Sequence, residues 1–113
     1  MAPRYTVTVR RRGATDRERY ESLEEALTAL EDRLDGLARS ERRGSEHGLG
    51  RDYAPVMQVA ARGELSGPGG LRGGVDLRGD GSAEAFTGRL RRRLVARGTG
   101  ETAYEALRRA LGG

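Results

Sequence analysis

The chain contains no cysteine, which excludes a disulfide framework, a thiolate metal site and a cysteine nucleophile. It contains one histidine, His47, in a polar, glycine-rich stretch. A Ser-His-Asp triad would have to be built on that residue, and so would most catalytic zinc sites. Lysine, asparagine, isoleucine and tryptophan are absent as well. Without lysine there is no P-loop, although Gly67 to Gly74 is rich enough in glycine to suggest a phosphate cradle. A hairpin loop accounts for those glycines, because the pattern that follows is a strand and not the helix of a dinucleotide fingerprint. No apolar run approaches the roughly 18 residues of a membrane span. Met1-Ala2-Pro3-Arg4-Tyr5 lacks the apolar stretch of a secretory signal, so the expected location is cytoplasmic.

Hydrophobic residues are 35% and aromatic residues 4% of 113, so the core must be thin. A single small domain over residues 1–113 is expected, of a size that often gains stability by self-association. Arginine and glycine are what the chain has in abundance. All 21 basic residues are Arg, set against 17 acids for a net charge of +4. The missing Lys, Asn and Ile all have AT-rich codons. Part of the arginine content is therefore expected to reflect codon usage and not a partner.

The apolar residues fall in periodic blocks. Tyr5, Val7 and Val9 alternate with Thr6, Thr8 and Arg10, which predicts a half-buried strand over 4–12. Gly13 to Asp16 reads as a turn. Ser22 followed by Glu25 is a capping box, and Leu23, Leu27, Leu30, Leu34 and Leu37 make the apolar stripe of a helix of about 18 residues. Arg39 to Asp52 is polar and reads as a flexible loop. A second strand is expected over 55–65, with Met57, Val59, Ala61 and Leu65 on one face, and a third around Val75 and Leu77. Between them Ser66 to Gly70 forms a turn, and Asp80-Gly81 signals a hairpin. Residues 83–96 suit either a strand or a helix. Gly88 and the preceding hairpin favour the strand, with Phe86, Leu90 and Leu94 facing the core. Tyr104, Leu107 and Leu111 line a short closing helix that starts near Thr99-Gly100-Glu101.

The expected fold is an α+β two-layer sandwich in the order β-α-β-β-β-α, with two helices on one face of a mainly antiparallel sheet. Its core is expected to centre on Leu27, Leu30 and Leu34 against Val7, Val9, Val59, Val75, Leu77 and Phe86.

Two runs, Arg10-Arg11-Arg12 and Arg91-Arg92-Arg93, are the most informative feature, because residues 21–35 hold six acids and only Arg33. Charge is thus expected to segregate, acidic on the first helix and basic on the sheet. Strand alternation assigns Arg10, Arg12, Arg62, Arg78, Arg89, Arg91 and Arg93 to the face away from the helices, together with Thr6, Thr8 and Gln58. These arginines are the candidate contacts for nucleic acid or for a protein partner. The same alternation leaves that face without an aromatic residue. Glu64, Asp76 and Glu84 border it, and in a self-associating chain they would pair with a second copy's arginines.

Asp76-x-Arg78-x-Asp80-Gly81 departs from a calcium loop, since Arg stands where a ligand is needed. No nucleophile–base pair and no metal or cofactor constellation is readable. The expectation is a non-enzymatic interaction module that forms a homo-oligomer. The alternative is a domain that binds nucleic acid independently of sequence through its Arg-lined sheet face.

Overall fold

The computed structural model describes residues 4–46, 59–88 and 91–112. Strand β1 (Tyr5–Arg11) turns at Arg12-Gly13 into β2 (Ala14–Tyr20), and helix α1 (Leu23–Glu46) follows. Strands β3 (Val59–Ser66), β4 (Arg72–Arg78), β5 (Ala83–Thr87) and β6 (Arg93–Leu94) lead to helix α2 (Ala103–Gly112). The strands form one antiparallel sheet in the order β2-β1-β3-β4-β5-β6. Helix α1 packs on β1 and β3, and α2 on β4 and β5, so the molecule is an α+β two-layer sandwich with a helical face and an open face. No helix among the described residues is long and apolar enough to cross a membrane.

Local chemistry sets the helix starts. The Glu25 amide donates to Ser22 Oγ at 3.1 Å. At α2 the box is reciprocal: the Glu105 amide donates to Thr102 Oγ1 at 3.0 Å, and the Thr102 amide to Glu105 Oε1 at 2.8 Å. Leu27, Leu30 and Leu34 are buried beneath α1 against Val7, Val9, Leu65, Val75 and Leu77. Leu107 and Ala103 extend that core under α2. Gly63 is what lets α1 sit so close to β3, since a Cβ there would run into Leu30 Cδ1 and lie 3.0 Å from Leu34 Cδ1.

Five local expectations are corrected. Of the turn expected over Gly13 to Asp16, residues 14–16 are instead the start of a full strand, Ala14–Tyr20, which pairs along its whole length with β1. Helix α1 runs to Glu46, so residues 39–46 of the expected loop are helical; the remainder of that loop, His47 included, lies outside the described residues, as do Met57 and Gln58. Gly73 and Gly74 belong to β4 and not to a loop. Within 83–96 the strand reading that Gly88 and the preceding hairpin favoured holds for Ala83–Thr87 and Arg93–Leu94, which form two strands, β5 and β6, while Arg89 and Leu90 lie outside the described residues. Finally, Phe86, Val59 and Leu94 do not join the core. Val59 is 44% exposed beside a bulge, and Leu94 is 64% exposed. Phe86 is buried, but it pairs with Gly74 while its neighbour Ala85 pairs with core residue Val75. Phe86 therefore stands on the open face.

Candidate nucleic-acid interface

Sheet register assembles the open face row by row. Arg10, Arg62, Asp76 and Glu84 lie side by side across β1, β3, β4 and β5. The next row is Arg17, Thr8, Glu64, Gly74, Phe86 and Leu94, and the one after it Arg19, Thr6, Ser66 and Arg72. Alternation explains the composition: the odd-numbered residues of β1 point to the helices, and the even-numbered ones to the open side.

The face has two halves. In the β3–β5 half the charges neutralise one another. Arg62 Nε donates to Asp76 Oδ1 at 2.7 Å, and Arg92 donates to the other oxygen of the same carboxylate. Asp76 is 4% exposed, and two guanidinium partners compensate for its burial. Arg78 Nη2 pairs with Glu84 at 2.6 Å. Arg92 also lies over the Phe86 ring, 4.1 Å from its centroid, with Arg62 at 5.9 Å.

The β2–β1–β3–β4 half is different. Arg10, Arg17, Arg19 and Arg72 line one shallow depression of about 280 Å³ with Thr6, Thr8 and Ser66, and Glu64 is its one acid. Arg10 Nε stands 3.8 Å from Glu64 and is 54% exposed, a loose contact. Arg19 and Arg72 close the ends of their row three strands apart, roughly 14 Å at the usual inter-strand spacing.

Charge on the opposite layer has the other sign. On the helical side of β2, Asp16 and Glu18 are held by Arg33 of α1, at 2.9 and 2.7 Å. Burial, and then the neighbouring Asp35, pushes the Glu31 carboxyl up from its ordinary value. Burial, and then Asp35 and Glu31, also pushes the Tyr104 phenol up. At the foot of α2 Glu101 is held down to about 2 by hydrogen bonds from Arg109 and from the Gly98 amide.

Of the arginines expected on the open face, Arg10, Arg62 and Arg78 are there. Arg12 is in the β1–β2 turn and Arg91 in the bend before β6. Arg93 pairs with Thr87, whose other partner Gly73 faces Leu107, so it belongs to the helix-side row. Arg89 lies outside the described residues. The physical reason is a register inversion: with Phe86 on the open side, alternation brings Arg92 there in place of Arg91 and Arg93. Arg72 escaped the sequence reading because Gly67 to Gly74 reads as a loop, and Arg17 and Arg19 because no strand was expected after the turn at Gly13 to Asp16. The available signal was charge alternation in 15–19, with acids at 16 and 18 and arginines at 17 and 19. The expectation of a face without aromatics is likewise overturned, by Phe86.

Among the described residues no group of three or more His, Asp or Glu side chains could hold a metal ion. No family model, no curated protein and no solved structure matches the chain.

Proposed function

We propose that this protein is a small non-enzymatic interaction module that holds the phosphate backbone of nucleic acid on the open face of its sheet, without reading sequence. The observation that carries this is the depression lined by Arg10, Arg17, Arg19 and Arg72, with three hydroxyl side chains between them and a single carboxylate. Guanidinium groups bind phosphate oxygens in a bidentate fork, and hydroxyls add donors suited to the same oxygens. The acidic helical layer supports the reading further, since it turns the basic face toward a polyanion. A cytoplasmic location is part of the proposal, as the compartment in which such a partner is met.

Self-association through the same face has less support. Asp76 and Glu84, two of the carboxylates a second copy would need to offer, are already engaged by Arg62, Arg92 and Arg78 of the same chain.

Binding to duplex and single-stranded oligonucleotides, titrated from about 50 to 200 mM salt, tests the proposal. Affinity should be insensitive to sequence and fall along a log–log line of slope about −0.9 per phosphate neutralised on duplex DNA. Replacing Arg17, Arg19 and Arg72 by Ala should flatten that slope by roughly two to three units. Absence of salt-sensitive binding, combined with a dimer in light scattering that the triple variant dissolves, would instead establish self-association.

A further inference from the structure

Phe86 lies against the Gly74 backbone; a Cβ at Gly74 would come within 2.7 Å of its ring. Its outer face is capped by the Arg92 guanidinium at 4.1 Å from the centroid. That guanidinium is fixed from the side as well, because the buried Asp76 carboxylate accepts from it and is itself oriented by Arg62. The result is a layered stack of glycine backbone, aromatic ring and planar cation, with the Arg92 side chain still 43% exposed. Exposed guanidinium planes held in place are surfaces on which unpaired bases stack, as they do on aromatic rings. The stack lies in the row that continues through Gly74 and Glu64 to Thr8 and Arg17, and so into the basic depression.

We propose that Arg92, held over the Phe86 ring and anchored by Asp76, is a stacking platform for an unpaired base, so that the preferred ligand is single-stranded. The inference rests on the phosphate-binding reading above. A strand crossing the sheet from β5 to β2 sets one base on Arg92 and its following phosphates along the arginines of β4, β1 and β2. A duplex, whose bases are already stacked and paired, gains only the phosphate contacts.

The test compares three probes of equal length, about 12 nucleotides: a thymine oligonucleotide, the same backbone with abasic sites, and a duplex. The wild-type chain should bind the thymine strand at least about fivefold more tightly than the abasic strand, the lower bound for one stacked base. Arg92→Lys keeps the charge and the pairing with Asp76 but loses the plane. It should abolish that preference while leaving the salt slope and the melting temperature as in the wild type. Equal binding of thymine and abasic strands with a steep salt slope would overturn the platform and leave the phosphate-binding reading intact. An undiminished preference in Arg92→Lys would overturn it too. No binding of any probe would overturn both readings together.

Discussion

Gly74 does more than pass through the sheet. A methyl group there would collide with the Gly63 carbonyl oxygen and crowd the Phe86 ring, and the backbone obstacle cannot rotate away. At Gly63 the obstacles are the methyl ends of Leu30 and Leu34, which have some freedom to repack. Gly63→Ala should therefore cost about 1–3 kcal/mol, as overpacking does. Gly74→Ala should cost more, and should also lower any affinity that depends on the Phe86–Arg92 stack; urea unfolding of the two variants checks the order. At the same scale, Leu30 is fully buried, and Leu30→Ala should lose roughly 2–5 kcal/mol. Glu101 supplies a pH dependence. Its carboxyl ionises more easily folded than unfolded, so its contribution is present above the ordinary value of 4.5 and is lost as pH falls toward about 2. Glu101→Gln should flatten the acid limb of a plot of melting temperature against pH in that window. An unchanged limb would show that the Arg109 clasp does not stabilise α2.

Among the elements, β2 and β5 separate what the sequence discloses from what only the fold does. The leucine stripe of α1, the alternation of β1 and the turn near Pro68 were legible because each repeats a strong period or carries a local turn signal. Strand β2 has none of these. Four of its seven residues are charged, and it is held by pairing with β1 and by the reach of Arg33 to Asp16 and Glu18. As an edge strand it is also guarded by those charges against pairing with another chain. The three basic residues that matter most to the depression, Arg17, Arg19 and Arg72, were thus hidden by the weakness of their segments as strand signals. Phe86 was misplaced for a different reason. A lone aromatic residue is assigned to the core by default, whereas here Gly74, directly opposite it on β4, leaves room for its ring on the other side. The ties to β2 are exposed, so Arg33→Ala should cost about 1 kcal/mol or less in global stability. The same change should speed hydrogen exchange at β2 amides selectively, since the edge strand loses its link to α1. Uniform acceleration across the sheet would contradict that division.

For the molecule as a whole, two layers of opposite charge follow from one alternation. Acids gather on α1 and on the helical side of β2, while arginines gather on the open side. A polyanion approaching such a body is turned by its field before any contact forms, and the on-rate should fall with ionic strength more steeply than the off-rate rises. Replacing Arg17, Arg19 and Arg72 should leave the solution mass unchanged while weakening that dependence. The most direct measurement of the central claim is an NMR titration of backbone amides with a single-stranded oligonucleotide at about 150 mM salt. The account predicts shifts confined to Thr6, Thr8, Arg10, Arg17, Arg19, Glu64, Ser66, Arg72 and the neighbourhood of Arg92, with α1 and α2 unmoved. Shifts concentrated on the helices, or none at saturating ligand, would contradict it.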